Sequence, residues 1–522
     1  MMRKLPIGIQ DFVTIRKDNY IYIDKTGYIY DLIHNGKPYF LSRPRRFGKS
    51  LLLSTMRAYW EGKKELFEGL AIERLSEGDP EAFMPHPVFY FDFNKKNFQR
   101  STALEEVLED HLMEWEKIYG GEYKDHPLEH RFQHLIELAY NQTGKRVVVL
   151  VDEYDKPLLE TMADDALEEH NKSVFKGFFS TLKSYDHYLK FVFLTGVTKF
   201  SKVSIFSDLN HLQDISMNRE YTSICGITEE EIRSCFKPEV EALAAEFDYS
   251  FEECMGELKK MYDGYHFRQN SPGVYNPFSL LNSFSNRDFE AYWFATGTPT
   301  FLIRKLQDTD FDVKKFTDGS IYADAATLSD YRGDNPDPVP LFYQSGYLTI
   351  KDYDRDFDSY QLGYPNNEVK YGFIKSLAPA YLHSEKSSGP LDIRSFGLDI
   401  KNARLDSLRD RFTALYAQIP YTTDDRPLEH NFQNVVYIIF TLLGQFVKTE
   451  VHNFKGRADV IVETADFIYI FEFKRDSSAA DALTQIEEKG YALPYAADPR
   501  KLYKIGVNFD SASRELTEWV VE

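Results

Sequence analysis

Two stretches of this sequence carry side chains in patterns that phosphate chemistry uses. In "SRPRRFGKS" (42–50), Gly48-Lys49-Ser50 has the ending of a phosphate-binding loop. Gly48 allows close backbone approach to an anion, Lys49 reaches the terminal phosphates of a nucleotide, and the Ser50 hydroxyl ligates Mg2+. Arg43 stands where the pattern G-x-x-x-x-G-K-[ST] has its first glycine. In "GRADVIVETADFIYIFEFKRD" (456–476), Glu472 and Lys474 are two apart in a strand-like run, so their side chains leave one sheet face. A hairpin turning at "ETAD" brings Asp459 alongside them. Asp459 and Glu472 are then candidate ligands of Mg2+ or Mn2+, a metal that activates water and neutralises charge on a phosphate. Lys474 would orient the hydroxide or stabilise the transition state. Taken alone, Glu472-Phe473-Lys474 reads more readily as the exposed ions of an edge strand than as a site.

Both stretches need elements to hold them. A phosphate loop requires a strand before it and a helix whose N-terminus faces the anion. "KPYFL" and "SLLLSTMRAYW" supply these. About a hundred residues on, "KRVVVLVDEYD" (145–155) is a β-branched run suited to a strand buried on both faces. It ends in Asp152, placed to hold Mg2+, and Glu153, placed to polarise an attacking water. "VFYFDF" (88–93) and "YLKFVFLTGVTKF" (188–200) read as further strands. Thr195 or Thr198 in the latter could sense a γ-phosphate, or either could be a turn residue. Strands separated by helical stretches predict an α/β fold with a parallel sheet. From "GITEEEIRSCF" (226–236) the pattern turns helical, with Thr228 capping a first turn of acids. "LFYQSGYLTI" reads as helix to strand, and a second α/β pattern begins near 425.

Composition narrows the setting. The 522 residues carry a net charge of −20, which argues against coating nucleic acid non-specifically and leaves room for a local, metal-mediated contact. No apolar run approaches the ~18 residues of a membrane span. The N-terminal residues lack the apolar core and cleavage site of a secretory signal. The three cysteines, Cys225, Cys235 and Cys254, share no metal-like spacing with histidines and cannot form a disulfide framework. A reducing, cytoplasmic setting is therefore expected.

"GIQDF", "YIDKT", "RPRRFGKSLLLSTM", "VVLVDEYDKPL", "FLTGVTKFSKVSIFSDLNHLQDIS", "MYDGYHF", "VYNPFSLL", "YWFATGTPTFLI" and "LFYQSGYLTI" together resemble the bacterial AAA-ATPase-like proteins fused to a PD-(D/E)XK nuclease domain. The resemblance spans nearly the whole chain. It implies an N-terminal P-loop ATPase core of the additional-strand catalytic-glutamate type (1–225), a helical lid or linker (226–424) and a restriction-endonuclease-like α/β domain (425–522). It also implies that Arg43 belongs to the family's own form of the loop. Asp459, Glu472 and Lys474 match the nuclease signature, with Ala458 where proline is usual. Glu429 matches the family's helix glutamate, and Gln485 looks like the supporting polar residue after the core. Gln485 and Lys489 share a helical face, and Lys489 or Tyr491 could contact the DNA backbone. His430 reads as a surface or packing histidine.

The expectation is an ATP- and Mg2+-binding protein whose nucleotide domain regulates cleavage of nucleic acid, DNA ahead of RNA, in defence or mobile-element biology. The alternatives are a nucleotide-driven switch or scaffold whose nuclease fold binds without cutting, and an ATPase with a vestigial C-terminal domain. Arg45 and Arg46 could lie near phosphate, pair with acids across a homo-oligomer interface, or be solvated loop charges. Arg219 is the one candidate for an arginine finger.

Overall fold

The structure is a computed structural model that describes residues 4–36, 38–121, 125–162, 164–200, 212–294, 300–309, 311–329, 337–382, 393–416, 431–447, 450–452, 459–511, 513 and 515–522. It forms two compact units. One comprises Met1–Thr296 and Tyr322–Glu368, the other Gly297–Ile321 and Val369–Glu522.

In the first unit, strands β1 (Tyr39–Ser42), β2 (Val88–Asp92), β3 (Val147–Asp152), β4 (Leu189–Gly196) and β5 (Gln213–Asp214) form a parallel sheet in the order β2-β3-β4-β1-β5. Every residue of β3 is buried, as its unbroken Val-Val-Val-Leu-Val run predicts for a central strand covered on both faces. The order places β4 between β1 and β3. The loop after β1, the acids after β3 and Thr195 on β4 therefore share the carboxyl edge of the sheet, where open α/β sheets bind ligands.

The helix Lys49–Trp60 follows β1 directly and buries Leu52, Leu53, Met56, Tyr59 and Trp60. These positions recur at three and four, the stripe that packs a helix on a sheet. Gly48 precedes it at φ +93°, a left-handed conformation that costs glycine nothing. At the other end of the sequence of this unit, β6 (Ile227–Thr228) pairs with β7 (Val274–Tyr275), and the helix Glu229–Cys235 begins on a capping box. Thr228 Oγ1 accepts from the Glu231 N–H, and the Glu231 carboxylate accepts from the Thr228 N–H at 2.8 Å. Ile232, Val240, Leu243, Leu258, Tyr262 and Phe284 form the core beneath.

This later part of the chain grips the phosphate loop. Phe47 sits edge-on to Tyr265, ring centroids 4.7 Å apart, and its carbonyl accepts from the Gly226 N–H. Gly346, in the turn between the helix Val339–Gln344 and its following strand, has φ +88°, and a Cβ there would lie 2.6 Å from Pro44 Cβ. A small sheet of β8 (Ile321–Ala323), β9 (Thr349–Asp354) and β10 (Ser359–Gly363) runs in the order β8-β10-β9.

In the second unit, β11 (Glu450–His452), β12 (Val460–Glu463), β13 (Phe467–Arg475), β14 (Lys501–Asp510) and β15 (Glu515–Val521) lie in sequence order. All neighbours are antiparallel except β13 and β14, which the helix Ala479–Glu488 connects as a parallel crossover. Gly506 lets that helix lie close, since a Cβ would fall 2.2 Å from the Ala479 carbonyl oxygen. The helix Asn431–Val447 buries Val435, Ile438, Ile439, Phe440, Leu442 and Leu443. Among the described residues, no helix is long and apolar enough to cross a membrane.

Gly346→Ala combines a positive φ with an overlap on Pro44, so it should destabilise the protein by about 2 kcal/mol. Denaturant unfolding should show this.

Candidate functional site

The loop after β1 is held from inside by the residue that breaks its pattern. Arg43 is 1% exposed. Its guanidinium donates to the carbonyls of Ser42 (2.8 Å), Ser216 (2.8 Å) and Tyr221 (2.9 Å), and it stacks 3.8 Å above the Phe267 ring. Burial pulls its pKa down to about 10, so it stays charged at neutral pH. Within the loop, Arg46 is the non-glycine residue at positive φ, +68°, and it stacks over Phe278 at 4.7 Å. Arg45 and Arg46 are exposed, and among the described residues neither pairs with a carboxylate.

Lys49 is buried and curls back on its own loop, donating to the carbonyls of Arg43 (2.9 Å) and Pro44 (3.1 Å). Burial raises the pKa of Asp152 and Asp155, and the nearby Lys49 ammonium opposes that rise in part. Asp152, at the end of β3, accepts from Thr195 Oγ1 at 2.8 Å and from the Tyr90 hydroxyl at 3.3 Å. Burial raises its pKa, and a hydrogen bond from Ser50 opposes that rise. Ser50, Asp152 and Thr195 are thus brought together, with Lys49 beside them. A hydroxyl and a carboxylate within hydrogen-bonding reach of each other are hard oxygen donors of the kind Mg2+ takes, since it keeps several waters and binds one or two protein ligands. Glu153, next along, has φ +51°, an uncommon conformation for a non-glycine residue.

Thr198 stands apart from Asp152; its N–H donates to Asp155 at 2.6 Å, as does the Val197 N–H at 2.9 Å. Asp155 is fully enclosed, and burial pushes its pKa up to about 7 against the pull of those donors. Tyr90 and Asp155 have no signal of their own in the sequence, because their partners lie on other strands. Arg219 lies exposed on the single-turn helix Arg219–Tyr221.

In the second unit, the hairpin of β12 and β13 sets the carboxylates face to face. The Asp459 N–H donates to Glu472 Oε2 at 3.3 Å, and the Phe473 N–H donates to Asp459 Oδ2 at 3.0 Å. Glu472 is buried, and Lys474 Nζ approaches its Oε1 at 3.4 Å. Gln485, from the helix Ala479–Glu488, closes the ring: its amide nitrogen donates to Glu472 Oε1 and its oxygen accepts from Lys474 Nζ. Tyr491 stands behind, 3.4 Å from the same amide nitrogen, whereas Lys489 is exposed at the helix end. Burial first, and the neighbouring Asp459 charge second, push the Glu472 pKa up to about 7. A like-charge pair with one member desolvated is electrostatically suited to a divalent cation, and both donors are hard oxygens. No third His, Cys, Asp or Glu joins them among the described residues. Glu429, His430 and Ala458 lie outside the described residues.

A phosphate loop facing buried acids across β4, and a hairpin carrying a carboxylate pair and a lysine, define a P-loop ATPase-like domain joined to a nuclease-fold domain. Comparison with known families agrees. Residues 6–206 match the family described as Predicted AAA-ATPase, and residues 428–519 match the PD-(D/E)XK nuclease superfamily. The chain belongs to the family of AAA-ATPase-like proteins fused to a PD-(D/E)XK nuclease domain. It is similar to the "Uncharacterized protein in vnfD 5'region" of Azotobacter chroococcum mcd 1, with 36% identity over 531 residues, covering 100% of this chain and 99% of the relative.

Arg43→Gly restores the usual loop glycine but strips three carbonyls, one buried and two part-buried, of their donor and opens a hole. It should cost about 3 kcal/mol of stability rather than add any, which chemical denaturation would measure. Asp155 gives a pH signature. Its native pKa lies above the ordinary 3.8, so its stabilising contribution is fully present below that value and is lost as pH rises through about 7. Asp155→Asn keeps a neutral acceptor throughout. The variant's melting temperature should therefore gain on wild type between pH 5 and pH 8.

Proposed function

We propose that the protein is an ATP-regulated, divalent-metal-dependent endonuclease, with DNA as its first substrate class. The observation that carries this reading is the closed network of Asp459, Glu472, Lys474 and Gln485. Its members come from two strands and a helix, and packing alone gives no reason to gather them around a buried carboxylate.

In the first unit, Lys49 leaves the carbonyls of Arg43 and Pro44 to meet the terminal phosphates of ATP. Gly48 admits the phosphate close to the backbone, and Arg45 and Arg46 extend the positive rim. Ser50 and Asp152 hold Mg2+, which when bound neutralises charge on the β- and γ-phosphates. Thr195 fixes the Asp152 carboxylate through its 2.8 Å hydrogen bond. Glu153 orients the water that attacks the γ-phosphate.

In the second unit, Asp459 and Glu472 hold Mg2+ or Mn2+, which when bound lowers the pKa of a water and offsets charge on the phosphodiester. Gln485 holds Glu472 and Lys474 in a fixed relation, so the lysine ammonium is aimed before substrate arrives. Lys474 would orient the attacking water and stabilise the charge that builds on the phosphate. Glu429 is assigned the helix-glutamate role from its sequence context.

Plasmid nicking in Mg2+ or Mn2+, with and without ATP, tests both halves. Lys474→Ala should lose cleavage about a hundredfold or more while keeping ATP turnover. Lys49→Ala should lose ATP turnover and the ATP dependence of nicking. Equal nicking by wild type and Lys474→Ala would remove the nuclease assignment. DNA binding without cleavage would favour a nucleotide-dependent scaffold.

A further inference from the structure

Lys314 lies outside both matched stretches, 6–206 and 428–519, yet its ammonium stands 3.8 Å from Asp459 Oδ1. The approach is built from the backbone upward. Asn434 is 1% exposed, on the helix Asn431–Val447. Its side-chain oxygen accepts from the Val313 N–H at 2.9 Å, and its nitrogen donates to the Phe311 carbonyl at 3.0 Å. Asp312 Oδ1 then accepts from the Lys314 N–H at 3.0 Å, and Thr317 Oγ1 lies 3.1 Å from the Tyr437 hydroxyl. The turn carrying Lys314 is thereby pinned on both sides of the lysine.

The target of this lysine is specific. Asp459 Oδ2 already accepts from the Phe473 N–H, so Oδ1 is the less engaged oxygen for a cation. Lys314 stands at that oxygen, and the two side chains are 33% and 37% exposed, open to ions and substrate.

We propose that Lys314 is a positioning residue that guards the Asp459 carboxylate: a built-in cation that a divalent metal must displace. This rests on the proposed metal-dependent nuclease reading, in which Asp459 is a ligand. An ammonium and a divalent ion repel each other at such range, so they compete for Oδ1. Metal entry sends the ammonium outward, toward the face where a phosphodiester offers the replacement anion. Lys314 thus holds the site in a low-affinity state until nucleic acid is present.

Calorimetric titration of the nucleotide-free full chain with Mn2+ tests this without any cleavage step. The Asp459-dependent binding is defined as that lost in Asp459→Asn. Lys314→Met should bind Mn2+ there roughly three- to tenfold more tightly than wild type. Lys314→Gln should behave likewise, and the charge-preserving Lys314→Arg should keep wild-type affinity. Thermal melts of each variant check the fold. If Asp459-dependent binding exists but is unchanged or weaker in both neutral variants, the guarding role is wrong and the nuclease reading stands. If Asp459→Asn titrates like wild type, the metal assignment fails and takes the guarding role with it.

Discussion

The phosphate loop depends on a buried guanidinium. A charge in a protein interior needs hydrogen bonds in place of its water, and the two terminal nitrogens of Arg43 find them in carbonyls rather than carboxylates, while its Nε is buried with no acceptor. The choice matters, because the cation is solvated without being neutralised. Its three acceptors belong to the end of β1, to Ser216 just beyond β5 and to Tyr221, while Phe267 supplies a π face from much later in the chain. One side chain therefore ties together the start of the loop, the sheet edge and the segment that follows. The role a glycine plays by conformational freedom is taken here by anchoring.

The two candidate sites follow one electrostatic plan. Each places a buried acid where desolvation raises its pKa, Asp152 in the first unit and Glu472 in the second. Each fixes that acid with neutral donors, Thr195 and Tyr90 in one case and Gln485 in the other. Neutral donors orient a carboxylate without satisfying its demand for positive charge. Each site also has a lysine within electrostatic reach, Lys49 or Lys474, the group that meets a phosphate in the function proposed above. The same arrangement arises on a parallel sheet and on a mixed one, which shows that site chemistry is separable from fold.

The parts legible in sequence were those whose information is local. The β3 run, the loop before the helix Lys49–Trp60, the capping box at Thr228 and the hairpin around "ETAD" each declare themselves within a dozen residues. Burial of Arg43 was not legible, because its acceptors Ser216 and Tyr221 lie more than 170 positions away and an arginine in a loop reads as solvated. Asp155 was hidden behind the better-known pair at 152 and 153. Lys314 belongs to no motif; only the buried Asn434 explains why a turn so early in the chain reaches the second unit's acids. Glu429 rests on sequence alone, since it falls outside the described residues.

The division of the chain has a consequence for how such a protein can be inherited. Residues 297–321 belong to the second unit, but both their neighbours in sequence, 1–296 and 322–368, belong to the first. The backbone thus passes between the units at three points, after 296, after 321 and after 368. Neither unit corresponds to an uninterrupted stretch of coding sequence. A recombination event that carried off the matched stretch 428–519 would leave behind the turn to which Asn434 is bonded. A cut at any one of these three points leaves segments of both units on at least one fragment. The two units are in this sense alternating stretches of one sequence, inherited together.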